Sequence, residues 1–383
     1  MIESMARRSP AYRHLNRLIP SAVKRQVIAT VNEVRRGRVK RMATPRALVF
    51  FVTNTCQLRC PFCFFREGLD RKDDVLTLSE IEQIVPSLRP LTRLTLTGGE
   101  PFLRPDLPDI IRLFRTYSAT RYVNIPTNGY ATERIEEQVR TILKTCRLRS
   151  LKIQISLDAW GDAHDCVRGK SGAFDRAMDT LDLLSRLSVR EDRLFVEVAA
   201  NITTVLIDDI ERFIENLIPY GVPIKFAIIR NNSTTAPTGL SAREHGELHS
   251  SEAGATTPST AQLESFRGVL SKLNERYDPP FWSRLQQHKY DHSLGILKEG
   301  KRRYPCYAGS VEAVLYHNGD VALCEYTAPV GNVRIHGYDF SRVWHSPAAE
   351  TMRKKTRACS CIHGCNLVTA LTYDTDVLLD ILS

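Results

Sequence analysis

Between residues 46 and 230, six short apolar, β-branched runs alternate with longer stretches of helical periodicity, and this alternation limits the fold more than any other feature of the 383-residue chain. The runs are 47–53, 93–97, 122–125, 151–157, 194–200 and 224–229, and helical patterns fill the gaps at 79–89, 107–117, 132–144, 173–187 and 208–220. Parallel strands need a crossover of about that length between them. Serial βα units therefore predict a parallel sheet with helices outside it, curled toward a barrel by right-handed crossovers. Six units are fewer than the eight that close a barrel. The expected class is α/β: an open, partial (β/α)6 barrel of parallel strands with a small C-terminal β-hairpin and helix subdomain.

The chain divides into a basic arm at 1–45, the barrel at 46–230, a Ser/Thr-rich loop with a helical linker at 231–303, and a cysteine-bearing segment at 304–383. Residues 1–46 hold twelve Lys/Arg against Glu3 and Glu33, which accounts for the whole net charge of +10. The remaining residues balance, so a protein that coats nucleic acid is not expected. No apolar run reaches the ~18 residues of a spanning helix, and the N-terminus lacks the apolar stretch of a secretory signal. A cytoplasmic protein is the expectation. Val23, Val27, Val31 and Val34 form one stripe with Lys24, Arg25, Arg35 and Arg36 around it, which predicts an amphipathic helix. It either packs on the body or docks on an anionic membrane or acidic substrate.

Ten cysteines are present, and their spacing matters more than their number. Cys56, Cys60 and Cys63 lie in TNTCQLRCPFCFF directly after the first run, at the C-terminal rim where parallel α/β folds place their chemistry. A closed cluster or structural zinc site would want a fourth protein ligand, so three thiolates leave a position open. A zinc loop is the alternative. Other strand ends bring polar groups to the same rim: Gly98, Gly99 and Glu100 after the second, Asn128 after the third, Ser156 and Asp158 at the fourth, and Asn201 at the fifth. Thr132 and Asp208 read as helix caps, and Cys146 and Cys166 as packing residues.

Cys56-x3-Cys60-x2-Cys63 with an aromatic before the last cysteine, then GGEP, TNG and QISLD, resembles the radical S-adenosylmethionine (SAM) enzymes over 46–230. The resemblance implies that the three cysteines hold a [4Fe-4S] cluster whose open iron chelates the methionine part of SAM. Reduction of the cluster then cleaves a C–S bond, and a 5′-deoxyadenosyl radical abstracts hydrogen. By the same motifs, Phe62 would pack near adenine, Gly98, Gly99 and Glu100 would meet the methionine amino group, and Ser156 and Arg168 would contact ribose and carboxylate. Asn128, Asp158 and Asn201 would complete the cofactor rim, with Asp158 orienting the loop as its alternative role. An electron donor such as flavodoxin or ferredoxin is also implied.

Near the C-terminus, Cys306-x17-Cys324 with an Asn318-Gly319 turn between predicts a hairpin. Together with CSCIHGC it resembles the auxiliary-cluster segment called SPASM, or twitch in its shortened form. Cys306, Cys324, Cys359, Cys361 and Cys365 suffice for one auxiliary iron–sulfur cluster with one thiol left over. Spacing does not settle which is spare. The cramped Cys359-x-Cys361 pair favours Cys365 with one of that pair, and His363 reads as a surface histidine, with a ligand as its alternative. A zinc-stapled hairpin fits the same thiols.

The expected function is abstraction of hydrogen from an unactivated C–H bond of a small or carrier-linked metabolite. Glu325, Tyr326 and Gln154 are the candidate acid/base or positioning residues. The alternatives are an enzyme that modifies a ribosomal peptide, and a non-catalytic iron–sulfur or zinc protein that binds a partner through its arm.

Overall fold

The structure is a computed structural model describing residues 19–39, 43–71, 74–229, 258–357 and 359–382. The arm before residue 19 and the Ser/Thr-rich stretch 231–257 lie outside the described residues. Six strands, β1 (Ala47–Thr53), β2 (Arg93–Gly98), β3 (Tyr122–Thr127), β4 (Ser150–Ser156), β5 (Leu194–Ile202) and β6 (Ile224–Ile228), pair in parallel with their chain neighbours. Side chains alternate across each strand. On β4, Leu151, Ile153 and Ile155 face the helices and join the main core, while Lys152 and Gln154 lie on the opposite, inner face.

The crossover helices bury their apolar stripes on that outer face. Following α1 (Ser21–Val39) in the arm, they are α2 (Leu78–Ile84), α3 (Leu107–Tyr117), α4 (Thr132–Thr145), α5 (Asp162–Arg168), α6 (Ala173–Arg190), α7 (Thr204–Asp208) and α8 (Ile210–Leu217). The segment 79–89 is not one helix. It tightens into a 3-10 turn at Val85–Leu88, because Pro86 has no N–H to extend the α ladder. Pro219 likewise ends α8 in a 3-10 turn, Ile218–Tyr220.

Neither predicted cap is one. Thr132 is the first residue of α4 rather than the residue before it, and its hydroxyl bonds Thr180 Oγ1 at 2.8 Å. Asp208 ends α7, whose cap is Thr203, its Oγ1 accepting from Leu206 N. Cys146 is buried in the core, but Cys166 is exposed.

The sheet does not stop at β1. The hairpin β7 (Glu312–Leu315) and β8 (Asp320–Ala322) turns at Gly319, φ +89°, and β7 pairs parallel with β1, Ala47 opposite Glu312. With β9 (Gly331–Asn332) the order is β6-β5-β4-β3-β2-β1-β7-β8-β9, an open sheet with β6 at one edge. Arg334, just after β9, grips Glu80 of α2 with both ends of its fork, Nε–Oε1 2.7 Å and Nη2–Oε2 3.1 Å. The guanidinium bond holds the Glu80 carboxyl at about 2, well below its usual range.

The linker supplies α9 (Thr260–Glu275), opened by a Ser259/Gln262 capping box, and α10 (Arg284–Glu299), which packs beside β6. The segment ends in α11 (Phe340–Trp344), α12 (Pro347–Thr356), α13 (Gly364–Leu371) and α14 (Thr375–Leu382).

The arm helix docks with the face opposite to the one its apolar stripe suggested. Asn32 and Val39 are buried, Arg35 donates to Thr372 O at 2.6 Å and lies over the Tyr373 ring at 4.3 Å, and Arg25 pairs with Asp376. Val23, Val27, Val31 and Val34 are about half exposed, 50–57%. Polar anchors to the C-terminal helices thus outweigh the apolar stripe in orienting α1. Among the described residues no helix is long and apolar enough to cross a membrane.

Candidate metal and cofactor centres

β1 ends at Thr53, and the backbone then runs irregularly through Cys56, Cys60 and Cys63. This loop is fastened to the end of β2: Gly99 N donates to Thr53 O at 3.0 Å and Glu100 N to Thr55 O at 2.8 Å. The approach is so close that a Cβ on Gly98 or Gly99 would stand 2.1 Å from Thr53 O or Thr55 O. Here the glycines serve the cysteine loop itself, letting two backbones meet. Burial pushes the Cys56 thiol up to about 11 and Cys63 up to about 12, so metal binding at this loop must displace protons.

Side-chain donors face two of these sulfurs. Arg168 Nη1 lies 3.8 Å from Cys60 Sγ, and Asn128 Nδ2 lies 3.8 Å from Cys56 Sγ. The Arg168 guanidinium also lies 5.7 Å from the Phe62 ring centroid. Arg168 is anchored by the buried Asp158 carboxylate, Nη2–Oδ2 2.6 Å, whose other oxygen accepts from Asn201 N at 2.7 Å and Asn201 Nδ2 at 3.2 Å. Burial raises the Asp158 pKa, and the charge of Arg168 and the Asn201 bonds oppose it. His164 accepts from Asp158 N at 3.1 Å, and burial keeps its ring neutral by lowering the pKa to about 3.

Glu100 is wholly enclosed. Its oxygens accept from Thr127 Oγ1 at 2.8 Å, Asn128 N at 2.8 Å and Phe102 N at 3.2 Å. Burial pushes its carboxyl up to about 7, against those three donors. Glu100 therefore braces the ends of β2 and β3. Ser156, half-buried, ends β4 opposite Ala199. The donor set fits an anionic cluster and a charged cofactor: three thiols, a buried guanidinium whose Nε has no hydrogen-bond partner, and glycine backbone along the rim.

Below the rim, the inner face carries a polar chain that sequence reading detected only through Gln154. Asn124 Nδ2 donates to Gln154 Oε1 at 2.8 Å, Gln154 Nε2 donates to Glu197 Oε1, and Lys152 pairs with Glu197 Oε2 at 2.8 Å. Burial opposes the charge of Glu197, but Lys152 and Lys225 outweigh it and hold the carboxyl at about 2. An ionised carboxylate between two lysines thus faces the barrel interior.

At the other end of the molecule, Cys324, Cys359 and Cys361 pack in one buried cluster with Ala308 and Tyr326, and half-buried Cys306 packs against it. Both members of the cramped pair are present, and the Cys359 thiol bonds Cys361 sulfur, which lowers the Cys361 pKa and raises that of Cys359. The side chain of Cys365 lies outside the described residues. Among those described, no three His, Cys, Asp or Glu side chains gather as the ligands of one ion would. A cluster of several irons takes its thiolates one to an iron and spaces them more widely than zinc does.

His363 is not a surface residue. It is 2% exposed, its Nε2 bonded to Glu325 Oε2 and its Nδ1 3.1 Å from Asn366 Nδ2. Glu325 and Tyr326 are buried here too, Tyr326 edge-on to His363 at 5.4 Å, so the candidate catalytic residues occupy two separate places. Asn366 was missed, although it directly follows the closing cysteine of CSCIHGC.

Residues 50–224 match the family model of the radical SAM superfamily, and residues 306–366 match SPASM, an iron–sulfur cluster-binding domain. The chain belongs to the radical SAM superfamily. This radical SAM chain is 27% identical over 179 residues to GTP 3′,8-cyclase of Alkaliphilus oremlandii, covering 46% of the chain and 53% of that relative. It is also 27% identical over 150 residues to the sporulation killing factor maturation protein SkfB of Bacillus subtilis, covering 38% and 34%. The chain spans about half the length of the curated relatives it matches first. Among solved structures, SuiB of Streptococcus suis bound to SAM superposes with TM-score 0.60 at 15% identity, over 83% of this chain and 70% of that one. Native anSMEcpe with bound SAM and the Cp18Cys peptide gives 0.55 at 14%, over 83% and 89%. At such identity the superpositions establish the fold. The radical SAM domain implies a [4Fe-4S] cluster and SAM, and the SPASM domain implies auxiliary iron–sulfur chemistry.

Proposed function

We propose that this radical SAM enzyme removes a hydrogen atom from an unactivated C–H bond of a peptide side chain or backbone, with Cys56, Cys60 and Cys63 as ligands of the first cluster. Cys306, Cys324, Cys359 and Cys361 hold the auxiliary one. The observation that carries the reading is the pair of thiol centres, three on the rim loop after β1 and four around the β7–β8 hairpin. When bound, the cluster and SAM supply the one-electron chemistry that opens the C–H bond.

The residues of this chain hold and orient. Arg168 neutralises charge beside Cys60, Asp158 and Asn201 hold Arg168 in place, and the Gly98-Gly99 backbone fixes the thiol loop. Gln154, Glu197 and Lys152 present donors, acceptors and charge to whatever enters the barrel.

The peptide reading draws on SuiB, solved bound to precursor peptide SuiA, on anSMEcpe with its peptide, and on SkfB, a maturation protein. A small or carrier-linked metabolite is the second reading, favoured by the sequence matches to GTP 3′,8-cyclase. Anaerobic reconstitution with iron and sulfide, reduction with dithionite and quantification of 5′-deoxyadenosine tests the enzyme. A fully loaded, reduced protein that forms none would leave the non-catalytic iron–sulfur or zinc reading standing. Stimulation by the peptide fraction of a cell extract, rather than by its small-molecule fraction, is the expected sign of substrate class.

The outward face of α1 fits an anionic membrane surface: four half-exposed valines with exposed Arg38 among them, while Arg25 and Arg36 turn to the C-terminal helices. Binding to vesicles rich in anionic lipid should fall several-fold when Val27 and Val31 are both changed to Ser. Unchanged binding removes the docking idea.

A further inference from the structure

Cys324 has a polar neighbour that the two-centre reading does not use. Asn366 Nδ2 lies 3.3 Å from Cys324 Sγ and 3.1 Å from His363 Nδ1, and His363 Nε2 in turn meets Glu325 Oε2. All four side chains are at least nine-tenths buried: Cys324 7% exposed, Glu325 5%, His363 2% and Asn366 3%. Water is therefore a poor substitute for any of these bonds, and the chain runs carboxylate, imidazole, amide, sulfur.

The geometry fixes which atoms carry hydrogen. A carboxylate only accepts, so a neutral His363 ring donates to Glu325 from Nε2 and leaves Nδ1 as an acceptor. The amide end nearest Nδ1 must then be NH2, and its second hydrogen is free for the sulfur. Turning the amide over would set its oxygen against both Nδ1 and a thiolate. Glu325 thus selects the imidazole tautomer, and the imidazole selects the amide orientation.

We propose that Asn366 is a positioning residue that donates a hydrogen bond to the Cys324 sulfur and thereby raises the reduction potential of the auxiliary cluster. A donor to a ligand sulfur stabilises the reduced, more negative cluster, and such bonds are among the determinants of iron–sulfur potentials. The position repeats the pattern at the other centre, where Asn128 and Arg168 face Cys56 and Cys60. There the donors are held by the rim; here one is held by a buried histidine and glutamate.

The inference rests on the four-thiolate ligand set proposed above. The full-length Cys60→Ala protein, reconstituted with iron and sulfide, isolates the auxiliary cluster, and its iron and sulfide content reports that ligand set independently. If it carries no cluster, the ligand set is wrong. In that background, potentiometric titration followed by electron paramagnetic resonance reports the donor. Asn366→Leu should lower the ratio of reduced to oxidised cluster about tenfold at a fixed poise, about 59 mV for a one-electron couple. Asn366→Asp, equal in size but without the donor, should move the midpoint the same way. An unmoved midpoint in either loaded variant overturns the proposal. So does loss of the cluster from both, which would make Asn366 a requirement for assembly rather than for potential.

Discussion

Alanine at position 60 is expected to end 5′-deoxyadenosine formation. Cys60 sits between Cys56 and Cys63 on a loop pinned at Thr53 and Thr55 to the backbone of Gly99 and Glu100, and no other described thiol shares that loop. Two thiolates cannot take the place of three, because each holds its own iron. The C-terminal thiols belong to a separate buried cluster, so iron there should survive, with roughly half the iron and sulfide lost if both centres hold four irons. Iron and sulfide analysis beside a product assay is the measurement. Residual cleavage, or equal loss from both centres, would contradict the two-centre assignment.

The second large effect is at Arg168. Replacing it with leucine leaves Asp158 enclosed without its counter-charge, and breaking a buried ion pair in this way costs about 3–5 kcal/mol. The sign of the pH dependence follows from burial. Asp158 already has a folded-state pKa raised above its ordinary value, and removing Arg168 raises it further. The folded variant therefore binds a proton more readily than the unfolded chain, and its stability falls as pH rises through that window. Denaturant unfolding should show a deficit that shrinks toward acid pH. Adding Asp158→Asn should recover much of the loss, since an asparagine oxygen can still accept from Asn201 N. A single-variant deficit under about 1 kcal/mol, or one that grows toward acid, would mean that the pair does not anchor the rim. The double variant, folded but lacking the guanidinium beside Cys60, should still bind SAM weakly.

Much of the barrel was legible because β-branched runs and 3.6-residue periods report burial on a local scale. β1 at 47–53 and α3 at 107–117 fall where the pattern puts them, and the remaining strand ends differ by one or two residues. What failed was information held elsewhere in the chain. The valine stripe of α1 marked a face but not its partner: Arg35 is fixed by Thr372 and Tyr373, more than three hundred residues away. Thr132 resembles a cap from composition, but its hydroxyl is taken by Thr180. His363 gave no sign of burial, since a lone polar residue carries no period. Spacing likewise could not show that Cys359 and Cys361 both reach the thiol cluster, because that depends on how α12 and α13 meet the hairpin.

The union of β7 with β1 has a mechanical side. β1 delivers the first thiol loop at its C-terminal end, and β7 leads through a tight turn into β8 and on to Cys324, two residues past that strand. Four paired positions, Ala47 with Glu312 through Phe50 with Leu315, set that alignment, and a slip of one residue would turn every side chain to the wrong face. The interval an electron would cross between the two centres is thus held by a hydrogen-bonded ladder rather than a hinge. Removing the C-terminal segment would also leave β1 as a bare sheet edge open to unwanted pairing.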